Sequence, residues 1–193
     1  MTIPDLGQLF LWAALALGAS FTLASAAELR DVAVGRWPPR LALAAAGAVL
    51  AGFATLVWLF LTSDLSTATV FFYSRTDLDW PWKLAGTWAG RQGSLLLWAT
   101  LLAAVAAAVA WLDARRAASD EAETRGRTWT RLFLGLATTA FLAAVATQET
   151  FAATSPALLG GRPLGNGLNP TLRSGFILIH PPLMFLAYSL ATV

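Results

Sequence analysis

The chain has no cysteine, one histidine and two tyrosines, and only 12% of its residues are charged. Without cysteine there is no disulfide framework, no thiolate metal site and no cysteine nucleophile. With His180 as the single imidazole there is no multi-histidine metal site and no Ser/His/Asp set to assemble. Paired carboxylates at useful spacing and a Gly-rich phosphate loop are also missing. The charge content lies well below that of an ordinary soluble domain. Thirteen Lys+Arg against eleven Asp+Glu leave a formal charge of +2, and the basic residues are almost all arginines in short loops. That distribution fits membrane topology, not nucleic acid.

What the chain has instead is apolar length: 57% of its 193 residues are hydrophobic. A hydrocarbon core roughly 30 Å thick needs about 20 apolar residues in a helix. Uncharged or nearly uncharged runs cover 6–27, 41–63, 93–112 and 132–149, and a fifth opens at Gly175 and continues over 175–193. All are apolar around the whole circumference, as lipid or bundle burial demands. "TLASAAEL" near Ala24 and Ala26 has the small residues of a signal-peptide cleavage site, but only Asp5 precedes the run where a positive segment is needed. The expectation is an uncleaved N-terminal helix.

Arginines set the orientation. The first loop carries Arg30, Arg36 and Arg40, and the third Arg115, Arg116, Arg125, Arg127 and Arg131. The second loop, 64–92, has Arg75, Lys83 and Arg91, and the fourth, 150–174, has Arg162 and Arg173. The positive-inside rule puts the first and third loops in the cytoplasm and the other two outside. The fold class predicted is all-α: a polytopic membrane helix bundle in the cell (plasma or inner) membrane, N-terminus outside. Four transmembrane helices are full length and a fifth is truncated at the C-terminus. From Pro181 the last run offers about 13 residues, roughly 20 Å of helix, which falls short of the bilayer. The expectation is therefore an N-terminal portion of a longer protein.

The outward loops hold the unusual residues. "DWPWK" reads as a rigid turn with Trp80 and Trp82 flanking Pro81, followed by Trp88 and, in the next span, Trp98. Either these rings form an aromatic belt at the headgroup level, or Trp82 and Trp88 belong to a platform facing a planar apolar ligand with acidic groups. "LNPTL" reads as a turn with Asn169 extended ahead of Pro170. His180 is followed by Pro181 and Pro182, so it sits at a helix start or at a kink, held by stiff backbone. It is either an interfacial histidine bonded to a loop carbonyl or an axial ligand of haem iron. In the second case Arg162 and Arg173 are available to the propionates. Glu149, at the outer end of the fourth run, reads as a solvated helix end.

Two segments carry a resemblance. "WKLAGTWAGRQGSLLLW", 82–98, resembles the Trp-x(4–5)-Gly-Ser-Leu-Leu-Leu-Trp segment of the CcmF-type cytochrome c haem lyases, in the haem-handling family that includes CcmC and CcsA. "LNPTLRSGFILIHPPLMFLAY", 168–188, is similar to their "LNPLLQ…HPPLLYMGY" segment. The resemblance implies that His180 is an outward-facing axial ligand of haem b, which is the substrate or a bound group. It implies as partners a haem carrier protein, apocytochrome c with its CxxCH cysteines, and membrane lipid, with no nucleic acid. Departures are Arg91 and Gln92 where the family has Glu, Phe185 where it has Tyr, and Ala187 at the following small residue. The WWD motif and the second histidine are not in this sequence, so any lyase activity belongs to this chain together with a C-terminal WWD-containing half. The alternative is a non-enzymatic membrane scaffold or transporter subunit with an interfacial histidine and a tryptophan belt.

Overall fold

The computed structural model of the protein describes residues 1–116 and 120–193. Among the described residues, four helices are long and apolar enough to cross a membrane: α1 (Ile3–Glu28), α2 (Trp37–Leu61), α5 (Arg91–Asp113) and α6 (Glu121–Ala146). At 1.5 Å per residue each exceeds the hydrocarbon thickness of about 30 Å. Between and after them lie α3 (Ala68–Tyr73), α4 (Trp80–Ala89), α7 (Pro156–Gly161) and the sixteen-residue α8 (Gly175–Leu190). The chain is a multi-pass membrane helix bundle.

The ends of α1 follow from local chemistry. Thr2 accepts from the Asp5 backbone N–H while Asp5 accepts from the Thr2 N–H, a reciprocal cap that satisfies two orphan donors. Helix α6 begins at Glu121, well ahead of the apolar run that starts at Leu132, because Asp120 accepts from Glu123 N–H and carries the helix through a charged segment. Helix α1 runs through the "TLASAAEL" segment to Glu28, with Leu29 as its C-cap, and Ser25 within it is buried.

The four long helices close a ring in which α1 packs on α2, α2 on α5, α5 on α6 and α6 back on α1. The core between them holds Leu11, Ala14, Val49, Leu56, Leu96, Ala99, Leu142 and Val145. Small residues let the backbones approach: a Cβ on Gly52 would meet the Leu11 side chain at 2.9 Å, and one on Gly135 the Thr22 hydroxyl at 2.8 Å. Hydroxyls within the helices mostly bond back to the preceding turn, as Thr55 does to Ala51 and Thr100 to Leu96. Leu9, Leu23, Leu50, Phe133 and Leu136 face outward, a surface suited to lipid and not to water.

One ion pair ties the ring together at the end formed by the first and third loops. Arg131, 7% exposed, donates from Nη2 to Glu28 at 2.8 Å and to Thr128 Oγ1 at 2.9 Å. Removing one partner of such a pair leaves the other charge without compensation. Arg131→Met is therefore expected to lower stability by about 3 kcal/mol, and Glu28→Gln in the same chain to recover part of that loss. Thermal unfolding in detergent micelles measures both.

Candidate functional site

Helices α4 and α8 and the two long loops gather at the opposite end of the bundle. Here "DWPWK" departs from its expected form, because it opens the ten-residue helix α4 and is not a free-standing turn. Asp79 is the N-cap, Pro81 occupies the first turn, and the Trp82 and Lys83 N–H groups donate to Asp79 O at 3.0 and 3.2 Å. Proline is tolerated there because the N–H it lacks is an orphan anyway. Trp80 projects outward, 68% exposed, whereas Trp82 is half-buried.

α4 is pinned by contact, and the contacts select glycine. A Cβ on Gly93 would lie 1.5 Å from the Thr87 carbonyl oxygen, and one on Gly90 would lie 2.3 Å from the Tyr73 ring. The "GTWAGRQG" segment is thus the corner at which α4 folds onto the start of α5.

The loops are laced to one another by backbone bonds. Asn166 N–H donates to Phe71 O at 2.8 Å, Gly167 N–H to Ser74 O at 3.1 Å, and Thr76 N–H to Leu164 O at 3.1 Å. Gly165 and Gly167 hold φ of +89° and +90°, which glycine adopts without strain. Asn169, with ψ of 127°, is extended ahead of the 3-10 turn Pro170–Leu172, and its side chain accepts from Thr171 N–H. Arg75 grips Asp77 through Nε and Nη2 at 2.9 and 2.8 Å, and those bonds hold the Asp77 carboxyl below the usual carboxylate range. Glu149 is exposed beyond the end of α6.

Helix α8 starts at Gly175 and contains His180 in its interior, with Pro181 and Pro182 continuing it. Proline donates no N–H, so Pro181 leaves the Ile177 carbonyl without its intrahelical partner. Trp88 supplies that partner: its Nε1–H donates to Ile177 O at 2.7 Å. Further along α8, Trp98 of α5 meets three rings: Phe141 of α6, with centroids 4.6 Å apart, and Phe185 and Tyr188 of α8 at 5.5 and 5.7 Å. The Trp98–Phe185 pair is stacked at 23°. Trp98 is a packing residue between α5, α6 and α8.

These anchors hold one side of α8 and leave the other bare. Phe176 is 79% exposed, and Ile179, Leu183 and His180 are exposed beside it. With Gly175 they line an open apolar hollow of about 450 Å³. His180 makes no hydrogen bond or ion pair with a described residue; in particular, no loop carbonyl takes its N–H. Of the other residues singled out by sequence, none lines this hollow. Trp88 is tied to the far side of α8, and Trp82 stays on α4. Arg162 bonds to Asn166 Oδ1, and Arg173 donates to Leu168 O at 3.3 and 3.2 Å, so both brace the fourth loop.

Sequence reasoning took Trp88 for a belt or platform ring and did not find its bond. The signal was available, since a proline at 181 frees the carbonyl four residues before it. The Trp98–Phe185–Tyr188 cluster had no such signal, because it joins helices far apart in the chain.

Two consequences follow from the geometry. Trp88→Phe removes the donor to Ile177 and is expected to cost about 1–2 kcal/mol. The same change in a Pro181→Ala background is expected to cost little, because alanine there returns a backbone N–H to that carbonyl. A double-mutant cycle on thermal unfolding reads the difference. Gly93→Ala forces α4 off α5 and is expected to lower stability by more than about 2 kcal/mol in the same assay.

No family model matches the chain. It is 35% identical over 165 residues to the probable cytochrome c-type biogenesis protein NrfE of Escherichia coli K12, an alignment covering 79% of this chain and 27% of that one. It is 34% identical over 148 residues to the cytochrome c-type biogenesis protein Ccl1 of Rhodobacter capsulatus, covering 76% and 21%. With the cytochrome c-type biogenesis protein CcmF of Pseudomonas aeruginosa it shares 33% over 138 residues, covering 70% and 20%. Among solved structures it superposes on a cytochrome c heme lyase CcmF with a TM-score of 0.72 at 25% identity, over 100% of this chain and 29% of that one. The chain thus spans between 20% and 27% of the length of these curated relatives. Sequence likeness and a common helix arrangement together place the chain in the CcmF-type family of cytochrome c-type biogenesis proteins.

Proposed function

We propose that this chain supplies the HPP-histidine part of a haem-binding site on the outer membrane face, in a protein that helps join haem to apocytochrome c. The observation that carries the reading is His180 itself. It is a lone imidazole without a protein partner among the described residues, set in an exposed apolar helix face and held there by bonds on the opposite side. A neutral imidazole on a fixed helix suits an axial position on haem iron, and Phe176, Ile179 and Leu183 suit the apolar edge of a macrocycle. Haem enters as cargo, and when bound it brings the vinyl groups that the CxxCH thiols of apocytochrome c attack.

The chain's own residues orient and hold. His180 binds the iron, while Trp88 and Trp98 act on α8 and so on the imidazole's position. Trp82, on α4 and outside the hollow, is the platform ring of this reading. Arg162 and Arg173 brace the fourth loop through Asn166 and Leu168, and reaching the carboxylates of haem requires those bonds to open. A haem carrier protein brings haem b to this face, and a WWD-containing portion completes the site with the second ligand. The arginine distribution supports an orientation with the N-terminus and the His180 end outside the inner membrane.

The test is to purify the chain with its WWD-containing portion and record haem content and the Soret band for wild type and His180→Gly. Haem content is expected to fall about tenfold or more, with partial return on adding imidazole. Equal haem content and an unmoved Soret band would remove His180 from the iron.

A further inference from the structure

At the end of the bundle away from His180, the first and third loops enclose a site built from charge. A cavity of about 240 Å³ opens there, lined by Arg36, Arg116, Arg127 and Arg131 together with Glu28 and Asp113. Some of that charge is already matched: Arg131 bonds to Glu28 and Arg127 to Glu123. Asp113 also lines the cavity, and its buried Oδ2 has no donor among the described residues, so one carboxylate faces the same space as the four guanidinium groups. Arg36 and Arg116 are exposed and form no ion pair among the described residues. Arg131 is 7% exposed, and its Nε–H is buried without an acceptor among the described residues. Arg131 is also one of the residues lining the cavity, and the space there has room for an acceptor from outside the chain.

Aromatic side chains mark the level of this end of the bundle. Trp37, Trp111 and Trp129 all lie at this end, and they are 61%, 38% and 45% exposed. The Arg115 guanidinium sits 3.6 Å over the Trp111 ring. Indole rings on a lipid-facing surface settle at the headgroup level, which puts the mouth of the cavity at the height of lipid phosphates. Guanidinium groups bind phosphate oxygens through paired, charge-assisted N–H bonds.

We propose that the cavity between the first and third loops binds the phosphate group of an anionic lipid headgroup. Arg36 and Arg116 receive it at the mouth, and Arg131 lies deeper. The site is separate from the His180 face and stands whether or not His180 binds haem.

The full chain is reconstituted in nanodiscs of phosphatidylcholine, with phosphatidylglycerol titrated in, and the thermal unfolding midpoint is followed. Phosphatidylglycerol is expected to raise the midpoint of the wild type. In Arg36→Gln with Arg116→Gln, its apparent affinity is expected to fall roughly tenfold. The control, Arg40→Gln with Arg125→Gln, removes the same charge from exposed arginines outside this cavity and is expected to keep the wild-type response. Equal loss in both pairs, or no rise in the wild type, would overturn the proposal. Inorganic phosphate added to phosphatidylcholine discs is expected to shift nothing. A shift equal to that of phosphatidylglycerol would leave a phosphate site and overturn its assignment to lipid.

Discussion

In hydrocarbon a backbone carbonyl has no water to turn to, so a donor from within the protein stabilises a carbonyl freed by a proline. Pro181 frees Ile177, and the indole of Trp88 answers. Much of the local arrangement serves that one bond. α4 must exist to carry Trp88, and it must lie close to the start of α5. Closeness in turn requires Gly90 and Gly93, where any side chain would collide with Tyr73 or Thr87. A histidine-proline-proline helix and a glycine-rich corner, joined by a bond across 89 positions of sequence, are thus parts of one device.

The device has two sides. Toward the bundle, α8 is stapled by Trp88, stacked on Trp98 through Phe185 and packed against it through Tyr188. Away from it, Phe176, Ile179, His180 and Leu183 are bare. The staple fixes the stretch of backbone that carries the imidazole. Phe185 stacks on Trp98 through its ring alone.

The two ends of the bundle use different physics. At the His180 end, laced loops and glycine turns hold position by backbone bonds, and Arg162 and Arg173 are spent on amide and carbonyl oxygens of the fourth loop. At the other end, guanidinium groups and carboxylates meet beside a cavity, and a buried pair between Glu28 and Arg131 joins α1 to α6. Aromatic residues also divide: Trp98 works inside the bundle, whereas Trp37, Trp111 and Trp129 face outward.

Sequence by itself determined the class, the long helices and the motif that singles out His180, because lipid solvation demands length and apolarity that single-residue counting detects. It also left His180 between two placements and "DWPWK" between a belt and a platform, as a rigid turn. Only the tertiary structure put His180 inside α8, turned "DWPWK" into the start of α4, and gave Trp88 its carbonyl. It also brought Arg36, Arg116 and Arg131 to one cavity. The reason is the same in each case. A span is a property of neighbours along the chain, whereas a hydrogen bond from residue 88 to residue 177 exists only once two helices have packed.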